Sequence, residues 1–388
     1  MGLLILLLLY AFLFYPPEYM LRLLRWGNAD VYDYQKFPAR TVAASDEPFQ
    51  FSYDLQETAV LNQFNQSPLT NGDFEQLLGD TGTQAFLVIQ NDTILYENYF
   101  NGASRDTVVT SFSVAKSFAS TLIGIAISEG YIHSVSDHIT NYLPELAERD
   151  PAFAQITIRD LLLMSSGIRY EEFPFVNGDD AKTYYYPDLR DLALNQTEIV
   201  GTPGEAFLYN NYHPLLLGLI LERATGIPVA DYLAQKIWQP IGAEFDGSWS
   251  LDEQGFEKME SGINGRAIDF AKFGRLFLHN GTWDGVQVIP AAWVAESTQA
   301  DTSVDYANYY YNDFIFANGQ GYYKYMWWGL QRDAQNYDFI ALGNHGQFIY
   351  LSPQKNLIIL RFGESYGEFG GAESWVDLFY DFATKFGG

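Results

Sequence analysis

Residues 107–128 read Thr-Val-Val-Thr-Ser-Phe-Ser-Val-Ala-Lys-Ser-Phe-Ala-Ser-Thr-Leu-Ile-Gly-Ile-Ala-Ile-Ser and carry one charge, that of Lys116. Small and apolar residues cover nearly every helical face, so the stretch reads as a buried central helix that other elements must surround. An ammonium inside such a helix is costly unless it is paired, hydrogen-bonded or neutralised. Ser113 lies one turn before Lys116, so hydroxyl and amine share a face. Ser-x-x-Lys on a buried helix lets a desolvated lysine activate a serine nucleophile. A backbone N–H at the helix N-terminus is unpaired and lies at the positive end of the dipole, so the Ser113 N–H is a candidate oxyanion donor. The competing reading of the pair alone is a lysine satisfied by backbone carbonyls beside a capping serine.

The chain has 388 residues, 48% of them hydrophobic, which is enough for a large core. Its formal charge of −26 argues against nucleic acid and against docking on anionic lipid. With no cysteine there is no disulfide, thiol nucleophile or thiolate metal site. Five histidines, none in a His-x-x-x-His pattern, argue against a zinc enzyme. Residues 1–15 are almost wholly aliphatic and aromatic and are followed by Pro16-Pro17. This segment is shorter than the roughly 20 residues of a spanning helix. An anchor, an uncleaved signal and a core helix are all compatible with it. The interfacial look of the next residues, with Arg22, Arg25 and Trp26, favours a hydrophobic anchor or signal-like segment. The expected consequence is a membrane-attached protein whose main domain is exported.

Residues 16–82 are polar and mixed, without a long period, and read as a leader wrapping a main domain over 83–388. Strand-like runs at 85–89 and 94–100 flank Gln90-Asn91-Asp92-Thr93, a hairpin signal. Helices follow at 156–164, 215–225 and 268–278, and the polar, tyrosine-rich stretch 177–191 reads as a loop beside a cleft. Strands return at 337–343, 347–351 and 357–362, before a closing helix at 372–385. Strands, then helices, then strands imply one α+β domain with an antiparallel sheet flanked by helices and an inserted, mainly helical part over about 112–265.

Two further segments bear chemistry. Tyr209-Asn210-Asn211 precedes an apolar helix. A tyrosine there is a candidate proton carrier, and a neighbouring cation such as Lys116 must stabilise its phenolate, because free tyrosine titrates near about 10. Asn211 is placed to bond substrate or to hold Lys116. In Ala341-Leu342-Gly343-Asn344-His345-Gly346-Gln347, a strand ends in glycine, which admits a second backbone closely. Asn344 N–H is the candidate second oxyanion donor, with Gln347 N–H as runner-up. His345 reads as a turn histidine bonded to backbone.

Taken together these segments resemble the serine β-lactamase and penicillin-binding-protein superfamily. The branch they are most similar to is that of class C β-lactamase-like hydrolases, including 6-aminohexanoate-dimer hydrolase and β-lactamase-like carboxylesterases. Ser113-Val-Ala-Lys116 matches the first family box, and Tyr209-Asn210-Asn211-Tyr-His-Pro-Leu-Leu-Leu-Gly218 the second. Ile158-Arg-Asp-Leu-Leu-Leu-Met-Ser-Ser-Gly167, Trp238-Gln-Pro-Ile-Gly242 and Ser261-Gly-Ile-Asn-Gly-Arg-Ala267 match connecting phrases. The resemblance implies a β-lactamase/transpeptidase-like fold and a serine hydrolase acting on a small ester or amide through an acyl-enzyme, with no cofactor and no metal. It implies Ser113 as nucleophile, Lys116 and Tyr209 sharing the general-base role, and the N–H groups of Ser113 and Asn344 as oxyanion hole. Tyr170 and Asn264 are substrate contacts by approximate position, and Asn211 by its box. Tyr184-Tyr185-Tyr186, Tyr309-Tyr310-Tyr311 and the run 322–328 are candidates for an aromatic rim.

The third box of true β-lactamases is Lys-Thr-Gly, whereas this chain has Ala341-Leu342-Gly343 at that strand. Esters or linear amides are therefore the expected substrates. A D-Ala peptide carboxypeptidase or β-lactamase with the same machinery is the alternative. A membrane-tethered, non-catalytic binding protein on the same fold is another, which an intact Ser113, Lys116 and Tyr209 disfavours.

Overall fold

The computed structural model describes residues 14–70, 72–300 and 320–387. In chain order its strands are β1 (Ala39–Val42), β2 (Ser52–Tyr53), β3 (Thr83–Gln90), β4 (Thr93–Tyr99), β5 (Val109–Thr110), β6 (Gly247–Ser250), β7 (Ile263–Gly265), β8 (Gly321–Lys324), β9 (Trp327–Gln331), β10 (Tyr337–Gly343), β11 (Gln347–Ser352) and β12 (Leu357–Gly363), beside a small hairpin at 282–287. The main sheet has the order β8-β9-β10-β11-β12-β3-β4-β2, and a second, smaller sheet the order β1-β6-β7-β5. Every pairing is antiparallel except that of β2 with β4. This is the α+β, β-lactamase/transpeptidase-like architecture expected from the sequence.

The helices that matter for the site are α1 (Pro17–Trp26), α2 (Glu57–Asn65), α3 (Phe74–Asp80), α4 (Val114–Ser128), α5 (Ile158–Leu162), α6 (Asp179–Tyr185), α7 (Leu189–Asn195), α8 (Tyr212–Thr225), α9 (Ala267–Leu278) and α10 (Gly371–Lys385). Central β12 reads Leu-Ile-Ile-Leu-Arg-Phe-Gly and is buried throughout, as a strand covered on both faces must be. α9 covers one face: a Cβ at Gly274 would lie 3.0 Å from Leu351 and 3.1 Å from Ile349. α10 covers the other, where Phe379 meets Phe348 with ring centroids 5.5 Å apart and Phe382 stacks on Phe64 of α2 at 4.1 Å.

α4 is buried from Val114 to Ala126. Each large aliphatic side chain buried there contributes roughly 1.5–3 kcal/mol. The helix passes between the main sheet and α8, which is itself buried from Tyr212 to Leu221. A glycine on each helix lets a further segment pack against it. A Cβ at Gly124 would fall 2.3 Å from the Trp293 indole, and one at Gly218 2.4 Å from Met259 Cγ. Ser113 and Lys116 are thus carried at the start of a helix packed on all sides.

Local structure departs from the sequence expectation in three places. Residues 177–191 are not a loop but hold α6 and the start of α7. Asp179 and Asp180 sit in the first turn of α6, and the Asp188 carboxylate caps α7 by accepting from the Asp191 N–H at 2.9 Å. Two turns are too short to display a period. The helix expected at 156–164 is only Ile158–Leu162, opened by a Thr157–Asp160 capping box and followed by Met164 at φ 57°. The stretch 16–82, without a visible period, contains α1, α2, α3, β1 and β2. Residues 1–13 of the expected anchor and Tyr309-Tyr310-Tyr311 lie outside the described residues. Among the described residues no helix is long and apolar enough to cross a membrane.

Candidate active site

The site begins with a strained turn. β5 runs into Ser111, and Phe112 then adopts φ 42°, a left-handed conformation unfavourable for an aromatic residue. The surroundings hold it there. Ser111 Oγ donates to the Ser261 carbonyl at 2.7 Å and accepts from the Ile263 N–H at 3.1 Å. The Phe112 ring packs on His345 at 4.9 Å and on Tyr184 at 6.4 Å. The turn delivers Ser113 to the start of α4, half-buried. The first turn closes with Val114, Ala115 and Lys116 donating to Ser111, Phe112 and Ser113, a set that leaves out the Ser113 N–H.

Lys116 is 1% exposed. Its Nζ donates to Ser113 Oγ at 2.6 Å and to the Glu260 carbonyl at 3.0 Å. Burial drives its pKa down to about 7, against the opposing pull of the Glu260 and Asp180 carboxylates. Near neutral pH this amine is available as a base. The same ammonium lies 4.8 Å from the centre of the Tyr209 ring. Tyr209 is half-buried, its hydroxyl interacts with that of Ser113, and desolvation raises its pKa. The phenol is therefore held neutral and keeps its proton. Trp328 stacks on Tyr209 at 5.6 Å and Tyr323 meets it edge-on at 6.0 Å, giving the ring one orientation. Trp328 and Tyr323 belong to the expected aromatic rim; Tyr185 and Tyr186 instead contact the leader, through Gly27 and Tyr19.

Asn211 Nδ2 donates to Tyr170 Oη at 2.8 Å and to Asp180 Oδ1 at 3.1 Å, and Tyr170 donates to the same carboxylate at 3.2 Å. Asn211 thus holds the Tyr170–Asp180 pair, and no bond from it to Lys116 is formed. Asp180 is exposed, held by the bonds from Tyr170 and Asn211, and desolvation raises its carboxyl pKa. Asn264 lies elsewhere. It is 1% exposed, and its amide donates to Ser248, Ser250 and the Gly262 carbonyl within the small sheet.

At the end of β10 an added Cβ on Gly343 would lie 2.4 Å from the Ser111 carbonyl and 3.1 Å from the Ser113 N. Only glycine lets the strand approach the nucleophile turn this closely. Asn344 follows, exposed, at the cleft edge. Gln347 sits opposite Gly343 in the ladder, with its side chain bonded to the Asn344 and Gly363 carbonyls at 3.1 and 2.6 Å. Buried Arg361 holds the turn from below, donating to the Gly346 carbonyl at 2.8 Å. The His345 ring nitrogens face the carbonyls of Glu364 at 3.0 Å and Ala29 at 3.1 Å. It is a turn histidine bonded to backbone, as expected.

Sequence reasoning missed Asp180 and Glu260, both facing Lys116. Neither carried a signal in the sequence: residues 256–263 read Phe-Glu-Lys-Met-Glu-Ser-Gly-Ile, the pattern of a solvated segment.

Comparisons with known proteins bear on the family and the fold. The family described as Beta-lactamase matches residues 72–368. 6-Aminohexanoate-dimer hydrolase of Paenarthrobacter ureafaciens is 30% identical over 308 residues, 74% of each chain. Penicillin-binding protein 4* of Bacillus subtilis is 29% identical over 168 residues, 40% of this chain and 36% of the other. Among solved structures, one from Bacillus anthracis, provisionally assigned as a 6-aminohexanoate-dimer hydrolase, superposes with a TM-score of 0.77 at 24% identity, covering 93% of this chain and 92% of that one. A class C β-lactamase in complex with cefoxitin shares the fold with a TM-score of 0.60 at 14% identity, over 85% and 99% of the two chains. The chain belongs to the Beta-lactamase family and is a serine hydrolase.

Proposed function

We propose that the protein cleaves small esters or linear amides, with Ser113 as the acylated nucleophile and Lys116 as its base. The observation that carries this is the 2.6 Å contact between Ser113 Oγ and a fully buried Lys116 Nζ whose pKa is lowered to about 7. Lys116 takes the Ser113 proton as Oγ attacks the substrate carbonyl carbon. Negative charge develops on the carbonyl oxygen, between the N–H groups of Ser113 and Asn344. As the tetrahedral intermediate collapses, the bond to the leaving group breaks, and Tyr209 hands that group a proton and recovers one from Lys116. Water then attacks the acyl-enzyme by the same route in reverse, releasing the acid and restoring Ser113. The residues at the third-box strand, Ala341 and Leu342, offer no cation or hydroxyl for a β-lactam carboxylate. Tyr170 and Asn211, bonded to each other beside Asp180, are the assigned substrate contacts. Asn264, 1% exposed and engaged in the small sheet, is set aside as a substrate contact.

The test uses a fluorophosphonate probe, p-nitrophenyl butyrate, a linear amide and nitrocefin on the wild type and Ser113→Ala. Labelling and turnover of ester or amide that vanish in Ser113→Ala are expected. Wild-type protein that neither labels nor turns over would favour a binding protein, and preferential nitrocefin hydrolysis a β-lactamase.

We also propose attachment to a membrane through residues 1–15, with the catalytic domain exported. The apolar sequence before Phe14 and the exposure of Leu21 and Leu24 on α1 support it. Recovery of the full chain in the soluble fraction of its cell would overturn this proposal.

A further inference from the structure

We propose that the Glu260 carboxylate, with its buried partner Lys258, is a positioning residue that sets the pH at which Lys116 becomes a base. The inference rests on the reading of Lys116 as the base of acylation.

Glu260 meets Lys116 twice. Its main-chain oxygen accepts from Lys116 Nζ at 3.0 Å, fixing where the amine points. Its side chain is 3% exposed, so no water screens its charge from the amine. One carboxylate oxygen, Oε1, accepts from Lys258 Nζ at 2.9 Å and from Ser261 Oγ at 2.8 Å. The other, Oε2, is buried with no hydrogen-bond partner in the protein. Lys258 is itself 2% exposed, bonded to the Tyr184 carbonyl at 2.6 Å and lying over the Tyr184 and Phe37 rings at 4.4 and 4.7 Å. The mechanism uses neither charge, and a buried ion pair is poor value for stability alone.

The groups facing Lys116 are Ser113 on its own helix, Tyr209 before α8, Asp180 on α6 with Tyr170 beside it, and Glu260 before β7. Only Asp180 and Glu260 are anionic. Of the influences that oppose burial of the Lys116 charge, Glu260 is the larger and Asp180 the smaller. The Glu260 carboxylate, bound to Lys258 through one oxygen and unpartnered at the other, therefore favours the protonated amine. Without it the amine would lose its proton at lower pH and be a weaker base.

The experiment is the pH profile of acylation, read as kcat/KM on p-nitrophenyl butyrate and as the fluorophosphonate labelling rate. It compares wild type, Glu260→Gln, Glu260→Asp and the neutral pair Lys258→Gln with Glu260→Gln, each checked by thermal melting. Neutral Lys116 is the active form, so removing nearby negative charge must move the acid limb down. A shift of about one pH unit is expected for Glu260→Gln, and a smaller one in the same direction for the neutral pair, which also removes the Lys258 charge. The plateau should fall by less than about tenfold, since a one-unit weaker base loses no more. Glu260→Asp should restore the limb toward its wild-type position. A merely structural residue would lower the plateau and leave the midpoint alone. An unmoved or raised midpoint in a folded Glu260→Gln overturns the inference, and if that variant fails to fold, the neutral pair decides. Lys116→Ala separates the two levels. Undiminished labelling there defeats the base assignment itself, whereas lost labelling with an unmoved Glu260→Gln limb defeats only the role of Glu260.

Discussion

Gly343→Ala tests whether the end of β10 builds the oxyanion hole. Gly343 has φ −129° and ψ 155°, ordinary extended backbone that alanine adopts without strain. Any effect must therefore come from the methyl group. That carbon would lie 2.4 Å from the Ser111 carbonyl oxygen and 3.1 Å from the Ser113 nitrogen, both backbone atoms that no rotamer change can move. Restoring an ordinary contact requires the strand end to retreat by about 1 Å. Overpacking of this kind costs roughly 1–3 kcal/mol of stability, which a buried sheet of this size survives. The functional effect is larger. Asn344 retreats with Gly343, and its N–H moves out of reach of an oxyanion that Ser113 N–H still holds. Loss of one such donor lowers kcat by about 10²–10³. The assay is single-turnover acylation by p-nitrophenyl butyrate, with KM and the melting curve measured alongside. A fall of about a hundredfold in the acylation rate, with KM within a few-fold of wild type, is expected. A folded Gly343→Ala protein that acylates at the wild-type rate would refute the placement of the hole at this strand.

With Lys116 held at about 7 by burial, acylation should lose tenfold per pH unit below that value, and Lys116→Ala should lower labelling at least about a hundredfold above it, the difference narrowing as pH falls. The same burial is a cost to the fold: unfolded lysine holds its proton up to about 10.4, so folding releases it, and stability rises with pH between 7 and that value. Lys116→Met should accordingly raise the melting temperature at pH 8 while abolishing turnover, a trade common at active sites. Tyr209→Phe keeps the ring between Trp328 and Lys116 but removes the proton donor, so hydrolysis of a linear amide should fall much further than that of a p-nitrophenyl ester, whose leaving group departs unprotonated. His213 is buried with its imidazole held at about 3 and Nε2 2.6 Å from Ser166 Oγ. Its depressed pKa contributes stability that is complete above about 6.5 and is lost as pH falls toward 3, and His213→Gln should flatten that loss in acid melting curves.

What the sequence disclosed depended on how local the cause was. α4 was legible because apolarity on every face admits one arrangement, burial, and Ser113 and Lys116 were legible because three residues along a helix fix a shared face. β10 and its glycine were legible because a strand of seven residues followed by a turn is a local pattern. α6 and α7 were not, since two-turn helices show no period and their stability comes from caps and distant clamps. Arg22, from the leader, donates to the Tyr185 and Tyr186 carbonyls at 2.8 and 3.3 Å and closes the end of α6. Phe112 gave no sign of its left-handed turn, because its conformation is imposed by Ser261 and Ile263, some 150 positions later, and by its packing on His345. The same division runs through the chemistry of Lys116. Its burial follows from its neighbours in sequence, so the direction of its shift could be read in advance. The carboxylates that limit the shift come from α6 and from the segment before β7, and acidic residues in such stretches look like solvated surface until the chain has folded. A base can therefore be recognised from a few consecutive residues, while the pH at which it works is a property of the tertiary structure.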